Sequence, residues 1–230
     1  MTNVEITKTQ NKSTIAKKAF CYIGGMFLIA FGINISKAAG LGISPVSAVP
    51  YALELIWGIE LGIASALVYM ALIVLQVVIL RKKFKAMQLL QFVCTYVLSF
   101  FITITSRKYF LLMWLPDPSN YAIRLVYCLI SIVIIGVGVA FYLMPKWIPL
   151  PAEGLATAIA EVSNGKLQFH NAKILVDVSL VVISAILSFI FLGGLVTVRE
   201  GTILAALLVG KVVGIVMKHC REKTLTWINK

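Results

Sequence analysis

Glu153, Asp177 and Lys211 are ionisable residues that lie within apolar stretches of this 230-residue chain. Ionisable side chains at membrane depth are costly, and they mark binding or coupling sites. Asp177 and Lys211 fall at similar predicted depths, about 10 Å from the same membrane face at 1.5 Å per helical residue. We therefore expect an Asp177–Lys211 ion pair. Such a pair either holds two helices in register or takes part in coupling, in which one partner is protonated or released during transport. Glu153 follows Pro151 closely, so it is either a binding carboxylate or only a favourable charge at a helix N-terminus.

Uncharged polar residues extend the candidate site. Ser44 and Ser47 flank a proline in the stretch "GLGISPVSAVP", where a serine can cap a short helix or contact a ligand. Asn34 lies late in an apolar run and can hydrogen-bond to a neighbouring helix. Thr202 opens another run and can cap it. The predicted substrate-binding or coupling residues are therefore Glu153, Asp177, Lys211, Ser44, Ser47, Asn34 and Thr202.

Several classes of chemistry have no signature here. The sequence contains no P-loop, no H-E-x-x-H and no G-x-S-x-G motif, and no nucleophile–base pair stands out. The four cysteines lie in or beside apolar runs without a C-x-x-C pair, which is typical of small buried residues. We expect no catalytic residue, no metal site and no cofactor.

The elements that must position these residues are membrane helices. The chain is 60% hydrophobic and 13% charged, against about half and a quarter in soluble domains. Because a span needs about 20 apolar residues, the sequence predicts an all-α polytopic membrane protein. The six predicted spans are 19–36, 61–80, 86–106, 122–144, 172–193 and 202–218. Two shorter apolar segments, 45–57 and 151–163, begin at prolines, which suit a first helical turn. They are predicted to be re-entrant or interfacial helices.

Basic residues set the predicted orientation. The loop 81–85, the N-terminal tail 1–18 and the C-terminal tail 219–230 carry clustered Lys and Arg, so all three are expected in the cytoplasm. The two tails flank a single predicted transmembrane domain, 19–218, which contains the loop 81–85. The net charge of +12 therefore reflects topology, and no nucleic-acid partner is expected.

The two halves of this domain have the same layout. Residues 19–106 and 122–218 both read as a span, a Pro-led short helix and two further spans. An odd number of spans per half means that the second half enters the membrane from the opposite side. The sequence therefore predicts two inverted three-helix repeats, as in many secondary transporters.

Four segments carry a resemblance to a known family: "AAGLGISPVSAVPYALE", "IPLPAEGLATAIAE", "KILVDVSLVVISAIL" and "REGTILAALLVGKVVG". Over roughly residues 20–218 the chain resembles the YitT/YczE-like group of bacterial integral membrane proteins. The resemblance implies a bacterial inner (plasma) membrane protein rather than any particular substrate. The positions that look like family positions are Pro45, Pro151, Glu153, Asp177, Gly201 and Thr202, whereas Lys211 has no place in the family pattern.

Two functions remain open at this point. The favoured one is secondary transport of a small polar or charged metabolite, bound between the Pro-led helices near the midplane. The alternative is a non-transporting membrane factor that binds or stabilises a partner protein. The expected partners are the lipid bilayer, a small-molecule substrate of unknown identity and a possible second copy of the chain.

Overall fold

The computed structural model describes the backbone of residues 3–108, 112, 114–164 and 166–229, and side chains within these ranges from Thr14 to Ile228. The described residues form helices, turns and loops without a strand. The helices are α1 (Asn3–Ala39), α2 (Pro45–Trp57), α3 (Leu61–Leu80), α4 (Leu90–Ile104), α5 (Tyr121–Leu143), α6 (Pro151–Val162), α7 (Phe169–Leu192) and α8 (Glu200–Asn229).

Six of these helices are long and apolar enough to cross a membrane, which confirms the predicted all-α membrane protein. The structure differs from the prediction at both ends of the chain, where helices extend into the segments predicted to be tails. α1 already begins at Asn3, and α8 continues to Asn229 instead of ending near 218. The far end of α8 packs against α1, where the rings of Phe20 and Trp227 lie 6.3 Å apart. The predicted C-terminal tail is therefore largely a helical extension of α8.

The two Pro-led helices begin where the sequence predicts. Pro45 and Pro151 each occupy the first turn, and the preceding Ser44 and Leu150 have extended backbone (ψ 149° and 158°). This follows from steric conflict between a proline ring and a helical residue before it. α2 and α6 have 13 and 12 residues, fewer than the roughly 20 that a span needs. Both pack between α3 and α7, so they lie within the protein rather than flat on its surface.

The pair α1 and α5 forms the centre of the bundle. Its glycines permit unusually close backbone contact. A Cβ added at Gly25 would lie 2.5 Å from the Tyr142 backbone nitrogen, and one added at Gly138 would lie 2.8 Å from the Gly25 carbonyl oxygen. Small residues at helix contacts are the usual means of tight packing in membranes. α1 and α5 therefore form a closely packed pair.

The loop before α2 is shaped by its two glycines. Gly40 and Gly42 have φ of +67° and +91°, values that a residue with a Cβ rarely adopts. The Leu41 carbonyl between them accepts a 2.7 Å hydrogen bond from the Gly201 N–H. A Cβ at Gly42 would lie 2.5 Å from Thr202 Oγ1. The loop is therefore packed against the first turn of α8, and this contact fixes the position from which α2 begins.

Candidate functional site

A cavity of about 480 Å³ lies between the first turns of α2 and α6. Residues 44–47 form one side of it, and residues 150–153 form the other. Further lining comes from α1, α3, α4, α5, α7 and α8. The N-termini of both short helices, with their unpaired N–H groups and partial positive charge, therefore face the same cavity.

The cavity is apolar for most of its surface. Side chains from the long helices line these walls, among them Ile29, Ile33, Leu98, Ile135, Val139, Val209 and Val213. The lining also includes three exposed residues: Thr157 in the middle of α6, and Phe169 and His170 at the start of α7. The cavity thus reaches the surface on the side where α7 begins, which is the predicted cytoplasmic side.

Three charged side chains form a cluster on this lining. Lys173 Nζ lies 2.7 Å from Asp177 Oδ1 and 3.4 Å from Glu153 Oε1. Each of these side chains is only 21–28% exposed. Lys173 and Asp177 meet because residues four apart share one face of a helix, and Glu153 projects from the first turn of α6. We call Glu153, Lys173 and Asp177 the charged triad. One lysine bridges two carboxylates, so the formal charge of the triad is one negative.

The predicted Asp177–Lys211 pair is wrong. Asp177 forms its ion pair with Lys173, which lies one turn earlier on the same helix. Lys211 is exposed on α8, is absent from the cavity lining and forms no ion pair with any side chain that the structure describes. The physical reason is that α7 and α8 make at most a marginal contact in the described residues. Equal depth cannot bring together two helices that do not pack.

Lys173 is the member of the triad that sequence analysis missed. Lys173 lies at the very start of the predicted span 172–193, whereas α7 begins at Phe169 and carries it inside the helix. The signal that could have found it is the i,i+4 spacing of Lys173 and Asp177.

Ser44 and Ser47 both line the cavity. Ser44 Oγ donates a 3.2 Å hydrogen bond to Ser47 Oγ, and no side-chain cap bond forms at the start of α2. The capping role that serine usually has at this position is therefore not realised. The two hydroxyls instead form a polar patch at the end of the cavity formed by α2.

Asn34 and Thr202 lie outside the cavity lining. Asn34 Nδ2 donates 2.8 Å hydrogen bonds to the Ile102 carbonyl and to Thr105 Oγ1, which confirms the predicted bond to a neighbouring helix. The Thr202 hydroxyl accepts a 3.4 Å hydrogen bond from the Arg199 N–H. Both residues thus hold the surroundings of α1 and α8 in place.

Buried polar side chains position the start of α6. Gln76 of α3 and Gln91 of α4 form reciprocal amide bonds of 3.0 and 3.1 Å, and Gln76 Nε2 also lies 3.1 Å from the Pro151 carbonyl oxygen, to which it donates. The Leu150 N–H donates a 2.8 Å bond to the Tyr142 hydroxyl. On α2, the corresponding support is Ser184 Oγ of α7, which donates to the Ala48 carbonyl at 2.8 Å. Each Pro-led helix is therefore tied to a spanning helix from the other half of the chain.

Residues 16–218 match the model of a family of unknown function, DUF6198. Since the match covers most of the chain, the protein belongs to this family. No curated protein and no solved structure matched the chain. The family description does not name the YitT/YczE-like group, so that resemblance stays a prediction.

Proposed function

We propose that the protein is a secondary transporter of a small polar or charged metabolite, which binds in the cavity between α2 and α6. The observation that carries this proposal is that both Pro-led helices direct their N-termini into one cavity that also holds the charged triad. Broken or short helices around a central site are the usual way in which secondary transporters bind small solutes. The alternative, a non-transporting factor that binds a partner protein, gives no reason for such a cavity.

The helix contacts support the predicted inverted repeat. If α1–α4 are exchanged with α5–α8, the contact of α1 with α4 corresponds to that of α5 with α8. Likewise α2 with α7 corresponds to α6 with α3, and α2 with α3 corresponds to α6 with α7. All six of these pairs are in contact. Two halves of unrelated architecture would have no reason to share this pattern of helix contacts.

The correspondence is incomplete in three places. α1 and α2 contact α8, whereas α5 and α6 make at most a marginal contact with α4 in the described residues. The largest break concerns α3 and α4. α3 packs closely on α4, where a Cβ at Gly62 would lie 2.7 Å from the Ser99 carbonyl oxygen. Their counterparts, α7 and α8, make at most a marginal contact within the described chain, and the cavity extends between them. In the proposed transport cycle, this arrangement is one end state, in which the cavity is open between α7 and α8. In the other end state α7 and α8 close while α3 and α4 separate, as expected when one repeat rocks against the other.

The experiment is uptake by purified protein in lipid vesicles. Vesicles are incubated with a mixture of labelled metabolites and their contents are identified, with empty vesicles as the blank. Asp177→Asn is the test variant, and Lys211→Met is the matched control because Lys211 lies outside the cavity lining. We expect uptake by wild type and by Lys211→Met, and a loss of at least about tenfold in Asp177→Asn. Folded wild-type protein that moves no solute would contradict transport and favour the partner-binding alternative.

A further inference from the structure

We infer that the cavity selects an amphipathic organic monocation, that is, a protonated or quaternary amine attached to an apolar body. This inference rests on the proposed function, since it names the substrate class of the same cavity. It is argued from the charge of the triad, from the two unequal contacts of Lys173 and from the apolar walls.

The triad has one carboxylate too many for its lysine. Glu153 and Asp177 share Lys173, so the formal sum is one negative charge. Among the described residues, no further Asp, Glu, Lys or Arg side chain lies on the lining, whose other titratable residues are Tyr69, Tyr142 and His170. A net charge in a partly buried, largely apolar space is unfavourable unless a counter-ion joins it. The two helix N-termini contribute only partial charges, so a single positive charge on a ligand completes the formal neutralisation of the triad.

The two contacts of Lys173 differ in length. Its Nζ lies 2.7 Å from Asp177 but 3.4 Å from Glu153, and shorter charge-assisted bonds are the stronger ones. Glu153 is therefore the carboxylate that a ligand ammonium can bind, while Lys173 remains paired with Asp177. Glu153 lies in the first turn of α6, where a helix N-terminus interacts favourably with a negative charge.

The apolar walls of the cavity indicate the chemistry of the part of the ligand that carries no charge. Ile29 and Ile33 of α1 face the cavity together with Ile135 and Val139 of α5. Pockets of this kind bind an apolar body and use a few polar groups to orient it. A small, fully hydrated cation would leave these walls uncovered, and an organic anion would meet the surplus carboxylate. An amine with an apolar body satisfies both parts of the cavity.

The test compares three probes of nearly equal shape on the purified full-length protein: 2-phenylethylammonium, 3-phenylpropionate and 2-phenylethanol. Binding is measured by isothermal titration calorimetry at pH 7. We expect the ammonium to bind saturably with one site per chain, and the anion and the alcohol to bind at least about tenfold more weakly. Equal or tighter binding of the anion overturns the inference, and so does the absence of ammonium binding.

Variants identify the carboxylate that recognises the cation. Glu153→Gln should weaken ammonium binding by about tenfold or more, because it removes the charge that the ligand would neutralise. Lys173→Met should tighten ammonium binding, because it removes the internal competitor; a merely structural lysine would give weaker binding instead. Lys211→Met is the control and should leave binding unchanged. If Lys173→Met does not fold, the three probes on the wild-type protein still decide the question.

The outcome also separates the two proposals. Ammonium binding without uptake into vesicles would overturn transport and leave the cation selectivity intact. Uptake of anionic metabolites without uptake of amines would overturn the cation selectivity and leave transport intact.

Discussion

At the scale of single residues, the sequence analysis identified the two acidic members of the triad and missed their partner. Glu153 and Asp177 stand out because carboxylates are rare within apolar runs. Depth along a helix, however, does not say in which direction a side chain points, and it does not say which helices pack together. The choice of Lys211 over Lys173 failed for this reason. The spacing of Lys173 and Asp177 within one helix was the more reliable signal, because it needs no knowledge of helix packing.

The first prediction concerns the stability of the triad. Lys173→Met leaves Glu153 and Asp177 near each other without their shared cation, so it should lower the free energy of unfolding by about 1–2 kcal/mol, less than for fully buried pairs because the triad is partly exposed. Lys211→Met should not lower it, because Lys211 forms no ion pair with a described side chain and a lysine charge at membrane depth is itself unfavourable. Thermal unfolding in detergent is the measurement. A larger loss in Lys211→Met than in Lys173→Met would show that the assignment of the ion pair is wrong.

At the scale of elements, the helices follow closely from the sequence. The predicted segment 61–80 corresponds to α3 at Leu61–Leu80, and the predicted 45–57 corresponds to α2 at Pro45–Trp57. Apolar length and proline position determine these bounds locally. The extension of α8 to Asn229 was not predictable in this way, because its last turns are polar and are supported by contact with α1. Helix packing depends on pairs of distant residues, and single-sequence patterns do not reveal such pairs.

Two adjacent glycines test the packing of α1 on α5. A Cβ at Gly25 would lie 2.5 Å from backbone, whereas a Cβ at Gly24 meets nothing within 4 Å. Gly25→Ala should therefore lower the thermal midpoint markedly, with a loss of about 1–3 kcal/mol that is typical of overpacking. Gly24→Ala should leave stability unchanged or raise it slightly, because alanine favours a helix over glycine. Unfolding curves for the two variants check this, and equal destabilisation by both substitutions would contradict the close approach of α1 and α5.

At the scale of the whole molecule, the order of long and short helices was predictable, and the cavity was not. The repeated layout indicated where two Pro-led helices would lie in the chain. The cavity depends on how α7 and α8 are arranged relative to each other, and nothing in the sequence distinguishes that pair from the tightly packed α3 and α4. The predicted orientation rests on the basic loops alone.

Orientation is tested by cysteine labelling in a background without Cys21, Cys94, Cys128 and Cys220. Lys82→Cys should react with a membrane-impermeant reagent only from the cytoplasm, and Ser119→Cys only from outside, because the basic loop stays inside. Accessibility in intact cells and in inverted vesicles provides the two readings. Labelling of Ser119→Cys only from the cytoplasm would refute the orientation, and cytoplasmic labelling of both Ser119→Cys and Lys82→Cys would also refute the inverted repeat.

The most direct test of transport is the accessibility of Ser47 from the two sides of the membrane. Ser47 is buried at the end of the cavity formed by α2, so a reagent reaches it only through an open path. Thr157→Cys near the exposed end of the cavity should react from one side only, and Ser131→Cys, buried outside the lining, should not react. If the site alternates between the two faces, Ser47→Cys in the same cysteine-free background will react with an impermeant thiol reagent applied from either side. Reaction of Ser47→Cys from one side only, in protein that remains folded, would contradict the account.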